Sequence, residues 1–381
     1  MIPCHYDHFR SLKQNDQIFV FSLQRICMST LPDFEAGDFM ENFDLLYSAT
    51  SQKGYSRIKE NGKFIYLDTR GKPIDSEKIL ERIAKLVLPP AWESVWICTK
   101  ANGHLQATGI DAKGRKQYRY HPNWEKIRNE TKFNQLYYFG KNLGKLRKQL
   151  KKDLRRKSLD KEKVIALALS IMEITFLRVG NTAYEKEYGS HGLTTLKNKH
   201  VRFLQGHAFF KFKGKKGVQQ LVEMKSVALA NLLKKVKELP GQEVFQYYGE
   251  DKSLQALDSS DVNNYLKKYM EGNFTCKDFR TWAGCIAAIE CMLQNRVEEE
   301  ITKTGLQKNL VAIIDQVAGR LGNTRAVCRK YYIHPQLLKK FEEGKLEEVL
   351  AISKTKSVNP EVIEKALLYF LKKELGEQAL T

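Results

Sequence analysis

The chain has 381 residues, is 42% hydrophobic and 10% aromatic, and carries a formal net charge of +20. That length and apolar content support a folded protein of two domains with a sizeable core. The basic excess points to a polyanionic partner, and no run reaches the ~18 apolar residues of a membrane span.

Residues 1–45 hold three Lys/Arg and seven Asp/Glu, a charge of −4, so the remainder carries +24 and the acidic tail is not what meets a polyanion. The tail reads as a flexible extension. It lacks the pattern of a signal peptide, and Met28, followed by STLPDFEAGDF, reads as an ordinary protein start. CHYDH near its beginning (Cys4, His5, His8) has no second ligand pair, so no metal site is expected there. The seven cysteines form no C-x-x-C and are irregularly spaced, which fits reduced thiols in a cytosolic compartment.

Residues 46–125 read as a small antiparallel β-rich domain. Asn61-Gly62 and Asn102-Gly103 each fall between strand-like runs, the short-range hairpin signal, and a helix is expected over 76–87. In KQYRY, alternation puts Tyr118 and Tyr120 on one face and Gln117 and Arg119 on the other.

From about Trp124 the pattern becomes helical, and residues 126–381 read as a mainly helical domain joined to the first near residues 123–135. Leu143, Leu146, Leu150 and Leu154 recur at helical spacing within 141–163, a stretch with eleven basic and three acidic residues. Its basic face suits either solvent or a nucleic acid. VIALALSIMEITFL (164–177) reads as a buried helix, 200–223 as a hairpin turning near Gly214–Gly217, and the rest mostly as helix. The fold class expected is therefore α+β.

Several common sites are missing. There is no phosphate-binding G-x-x-x-x-G-K-[ST], no H-E-x-x-H, no G-x-S-x-G and no dinucleotide fingerprint, nor a cluster of acidic residues suited to Mg²⁺. Neither a cofactor nor a nucleotide is expected. What remains is cations and tyrosines. Phosphodiester transfer without metal needs forked guanidiniums on the non-bridging oxygens, a proton for the leaving sugar oxygen, which a lysine can deliver, and a nucleophile. Tyrosine, with an ordinary pKa near 10, serves once cations stabilise its phenolate.

Six separate motifs then carry a resemblance: LPPAWESVWI (88–97), GHLQATGIDAKGRKQYRYHPNW (103–124), FLRVGNTAYEKEYGSHGLTTLKNKHV (176–201), FKGKKG (212–217), CKDFRTW (276–282) and GNTRAVCRKYYIHP (322–335). In this order they resemble the type IB DNA topoisomerases of the poxvirus and bacterial branch, over about residues 50–350. The resemblance implies that Arg178 and Arg280 bind the scissile phosphate, that Lys215 is the general acid with Lys277 assisting, and that Asn323 hydrogen-bonds a phosphate oxygen. Poxvirus members have His at that last position, so here a neutral donor replaces a cation. Lys216, adjacent to Lys215, is the alternative acid. The resemblance further implies a nucleophile nine residues after Asn323. That register selects Tyr332 over Tyr331, whose counterpart nine residues earlier, Gly322, has no side chain. Gln117, Tyr118 and Tyr120 are implied to contact bases and phosphates in the major groove, and Tyr184 a phosphate.

The implied activity is relaxation of supercoiled duplex DNA through a 3′-phosphotyrosyl intermediate, by a monomer clamped around the duplex, without ATP or metal. The implied setting is the cytoplasm: the nucleoid of a bacterium, or the virion or factory of a large DNA virus. A tyrosine recombinase would use similar chemistry, but such enzymes usually carry His where this chain has Lys277, and lack the KQYRY domain. A non-catalytic DNA-binding module would not need all the candidate residues.

Overall fold

The computed structural model describes residues 44–294, 303–350 and 359–378, all within one compact unit of the chain. The expectations for residues 1–43, including CHYDH, the flexible extension and the start at Met28, lie outside the described residues.

The first part is a five-stranded antiparallel sheet in the order β2-β1-β3-β4-β5. Strands β1 (Tyr55–Glu60) and β2 (Lys63–Leu67) are joined through Asn61 and Gly62, both at positive φ (49° and 79°). This two-residue connection matches the right-handed twist of the strands. Helix α1 (Glu77–Lys85) buries Ile83 against Val95, Ile97 and Ala107 of β3 (Glu93–Ile97) and β4 (Leu105–Ile110). The Arg57 guanidinium donates to the carbonyls of Pro89 (2.9 Å) and Trp92 (2.6 Å) and so fixes the LPPAW segment beneath the sheet. β5 (Lys116–Tyr120) is the edge strand and carries KQYRY.

β5 runs almost directly into α2 (Pro122–Leu154). Pro122 suits the first helical position, where its missing N–H is no loss, and the His121 ring accepts from the Asn123 N–H. The junction expected near 123–135 therefore lies inside a continuous helix. The helix expected over 141–163 is, by contrast, two. α2 stops at Leu154, and Asp160 caps a new helix, α3 (Lys161–Thr175), by accepting from the Lys163 N–H. Leu143, Leu146 and Leu150 are buried while Lys141, Lys145, Lys148, Lys151 and Lys152 face outward, so leucine core and basic face coexist as the spacing implied. α3 is the central helix of the core, with Val164 to Leu169, Ile171 and Met172 all buried.

α4 (Thr182–Tyr188) precedes a three-stranded sheet, β6 (Val201–Leu204), β7 (His207–Lys213) and β8 (Gln219–Met224). One hairpin was expected here. The extra turn is Gln205-Gly206, both at positive φ, a pair that gives less signal than Asn-Gly. A short hairpin, β9 (Gln246–Tyr248) and β10 (Leu254–Ala256), also interrupts the helices. It lies between α5 (Val227–Lys237) and α6 (Ser259–Tyr269).

The remaining helices are α7 (Cys276–Gln294), α8 (Lys303–Leu321), α9 (Arg325–Tyr331), α10 (Pro335–Glu342), α11 (Leu346–Leu350) and α12 (Pro360–Gln378). α12 packs on α2 and α7. Arg147 of α2 anchors it with a two-pronged bond to Glu364 (2.7 and 2.6 Å) while holding Glu173 of α3 at 2.6 Å. The fold is α+β, a five-stranded sheet followed by a mainly helical region. No helix among the described residues is long and apolar enough to cross a membrane.

Candidate active site

Three chain turns deliver the site. α3 ends at Phe176 in the left-handed conformation (φ 55°, ψ 20°), and two residues later Arg178 emerges. α8 ends at Leu321, and Gly322 at φ 57° reverses the chain toward Asn323. α9 begins after Thr324, whose hydroxyl accepts from the Val327 N–H, and ends at Tyr331, leaving Tyr332 as its C-terminal cap.

Two arginines bind these turns together. Arg280 of α7 is only 4% exposed. One of its Nη atoms donates to the Phe176 carbonyl and the other to the Leu321 carbonyl (2.6 Å). Arg178 donates through Nη2 to Asn323 Oδ1 and lies 3.4 Å from the Gly322 carbonyl. Successive residues 321–323 are thus gripped by both guanidiniums. The Tyr332 ring sits beneath Arg280, 5.3 Å from its Cζ. Tyr331, 39% exposed, faces outward. A tyrosine pair at the end of a helix is thereby split, one ring into the arginine cluster and one away from it.

The electrostatics are those of a site short of an anion. Burial, then the neighbouring Arg280, pulls the Arg178 guanidinium down to about 10, with Tyr332 opposing the shift. Two donors inside the cluster, Arg280 Nε and Asn323 Nδ2, are buried without a hydrogen-bond partner. Such buried donors are costly unless something accepts from them, and a phosphate oxygen is an acceptor of the right charge.

Lys215 stands on a single 3₁₀ turn between β7 and β8, with Lys216 beside it at φ 61°. The Lys215 ammonium is held below its ordinary range, first by loss of solvent around it and then by Arg178, while Tyr332 favours its charged form and Lys216 and Lys277 oppose it. A lysine with a depressed pKa is a better proton donor. Lys277 is exposed, one helical turn before Arg280 on α7.

The residues expected to touch DNA lie on other elements. On β5, Tyr118 and Tyr120 stack at 6.1 Å with an 11° interplanar angle, flanked by Lys116 and Arg128, so the alternation is as read. Tyr118 is 50% exposed. Gln117 donates to Asp111 Oδ2 (2.9 Å), and Arg119 to the Leu86 carbonyl (2.8 Å). Tyr184 is exposed on α4, its N–H capped by Asn181. Two residues beside Tyr332 gave no signal in the sequence. Gly284 of α7 lies so close that a Cβ there would stand 2.4 Å from the Tyr332 carbonyl oxygen. Lys132 of α2 has its ammonium 5.4 Å from the Tyr332 ring centre.

An edge strand with stacked tyrosines is followed by a helical region that gathers two arginines, an asparagine and a tyrosine, an arrangement suited to an anionic substrate. Residues 121–357 match the family model described as the catalytic core of eukaryotic DNA topoisomerase I, and residues 63–111 match that of the N-terminal domain of bacterial DNA topoisomerase IB. The chain belongs to the type IB DNA topoisomerase family, in the branch of the poxvirus and bacterial enzymes. It is 32% identical over 297 residues to the DNA topoisomerase 1B of Acanthamoeba polyphaga mimivirus, covering 77% of this chain and 88% of that one. It is 26% identical over 269 residues to the DNA topoisomerase 1B of vaccinia virus (strain Copenhagen), with 69% and 80% covered. The DNA topoisomerase I of monkeypox virus matches over the same length at the same identity.

Proposed function

We propose that the enzyme relaxes supercoiled duplex DNA by cutting and resealing one strand, with Tyr332 as the nucleophile. The phenolic oxygen of Tyr332 attacks the scissile phosphorus, its own proton passing to solvent, the bond from phosphorus to the 5′ oxygen breaks, and that oxygen leaves with a proton from Lys215, assisted by Lys277. The product is a 3′-phosphotyrosyl ester and a free 5′ hydroxyl. The polarity follows the family resemblance. Arg178 and Arg280 neutralise the charge that builds on the non-bridging oxygens, and Asn323 donates to one of them. The ester keeps the energy of the broken bond, so the 5′ hydroxyl reseals the strand after swivelling, without ATP, metal or a second subunit. Tyr118, Tyr120, Gln117 and Tyr184 hold the duplex.

The observation that carries this reading is the pair of unpartnered buried donors, Arg280 Nε and Asn323 Nδ2, in a cluster that already holds the Tyr332 ring. The loss of solvent around the Lys215 ammonium and its repulsion by Arg178, which hold it below its ordinary range, support its role as proton donor. The test is relaxation of a supercoiled plasmid in EDTA without nucleotide, followed by peptide mapping of the trapped covalent complex. Relaxation with the DNA attached to Tyr332 is expected. Strict dependence on Mg²⁺, or attachment to Tyr331, would refute the reading.

A further inference from the structure

Lys132 has no evident reason to be a lysine. It is half-buried on a helix whose neighbouring face is apolar. Burial drives its ammonium down to about 8, with Asp278 and Cys285 resisting and Arg128 and Lys277 adding to the shift. A Leu or Met would occupy such a place without that desolvation cost. What the ammonium does instead is donate to the Tyr331 carbonyl. This is one of the last carbonyls of α9, which has no acceptor role left inside its own helix. The same ammonium lies over the rings of Tyr332 (5.4 Å) and Phe133 (4.8 Å).

The contact is one of a series. Glu125, two turns earlier on α2, pairs with Lys330 at 2.6 Å. Phe133, the next residue after Lys132, packs edge-on against the His334 ring at 4.9 Å. α2 therefore touches residues 330, 331, 332 and 334, both sides of Tyr332. It is also the helix that begins two residues after the Tyr118–Tyr120 strand.

We propose that Lys132 is a positioning residue for strand cleavage: its hydrogen bond to the Tyr331 carbonyl and its seat over the Tyr332 ring hold the nucleophile's turn in register with the arginine cluster, on the same rigid helix that leaves the DNA-reading sheet. The Glu125–Lys330 pair, half-exposed on both sides, contributes little by itself because surface ion pairs are screened and entropically costly. Lys132 is the residue of α2 whose ammonium meets both the Tyr331 carbonyl and the Tyr332 ring. This inference rests on Tyr332 being the nucleophile.

The test measures the rate of covalent adduct formation at saturating duplex DNA, with wild-type adduct first mapped to Tyr332. An adduct elsewhere sinks the nucleophile assignment itself, independently of Lys132. Given that control, Lys132→Met should slow adduct formation about tenfold to a hundredfold, the range for a misplaced reacting group, with DNA affinity unchanged. Lys132→Arg, which keeps a donor and a charge, should recover most of the loss. A second substrate with sulfur in place of the leaving 5′ oxygen separates positioning from proton delivery, since sulfur departs without a proton. Lys132→Met should remain slowed by the same factor on it. Restoration on that substrate would make Lys132 an acid and overturn the proposal. So would a wild-type rate for Lys132→Met, or a loss confined to affinity. Should Lys132→Met unfold, Lys132→Arg and Lys132→Gln carry the same comparison, and equal rates for those two would also overturn it.

Discussion

Replacing Gly284 by alanine should displace Tyr332, the proposed nucleophile, without altering any of the other proposed catalytic groups. A Cβ at Gly284 would lie 2.4 Å from the Tyr332 carbonyl oxygen and 2.9 Å from its Cβ, against 3.4 Å or more for ordinary contact. The obstacle is backbone, which cannot swing aside as a side-chain tip can, and the Cys285 thiol already lies 3.5 Å from the same oxygen. The turn must therefore retreat by up to about 1 Å, a displacement that can cost about 10² in rate; if helix and turn share it, the loss is nearer tenfold. Overpacking costs about 1–3 kcal/mol, offset by up to about 1 kcal/mol from the better helix propensity of alanine. The protein should therefore remain folded with a melting temperature a few degrees lower. The assay is rapid-quench measurement of adduct formation at saturating DNA, alongside a thermal melt and a binding titration. Gly144→Ala on α2, where a new Cβ meets nothing within 4 Å, is the control and should cleave at the wild-type rate. A wild-type cleavage rate for Gly284→Ala would refute the claim that the close approach of α7 fixes Tyr332.

Tyr332→Phe keeps the ring under Arg280 and should fold and bind DNA while forming no adduct; Tyr331→Phe should form it at near wild-type rate, and gel detection of covalent complexes distinguishes the two. Arg178→Ala should lower the cleavage rate on bound DNA by about 10²–10³, as loss of an oriented transition-state donor does, with little change in a filter-binding titration. It is a cleaner probe than Arg280→Ala, which also strips the Phe176 and Leu321 carbonyls of their donor, at about 1–3 kcal/mol for each group left buried and unsatisfied. If the protein neutralises six to ten phosphates, log affinity measured against log salt should fall with a slope of about −5 to −9, and a slope near zero would contradict a DNA grip built on the basic charge.

The sequence was most informative where local spacing could be read. The family resemblance sets the nucleophile nine positions after Asn323, and that register chose the tyrosine whose ring the structure places under Arg280. The alternation in KQYRY likewise predicted the shared face of Tyr118 and Tyr120. Capping and turn chemistry was harder to read. The leucine spacing ends at Leu154, where α2 stops, and reading 141–163 as one helix passed over Asp160, whose side chain caps the start of the next. Contacts made across the chain left no trace at all. Lys132 meets the Tyr331 carbonyl across 199 positions, and Gly284 is only a small residue on an apolar helix until Tyr332 is folded against it.

The last described helix has a bearing on the order in which the protein becomes competent. Every motif that identifies the family is complete by Pro335. Yet His334, two residues past Tyr332, is wedged between Phe133 of α2 and Phe370 of α12, and Arg147 reaches 217 positions ahead to Glu364. Contacts so distant in sequence form late, since long loops must close before they are rewarded. A nascent or prematurely terminated chain would hold the tyrosine, both arginines and the lysines, but not the wall against which the tyrosine's turn rests. The packing around Tyr332 is thus completed by the last helix described and not by the motifs themselves.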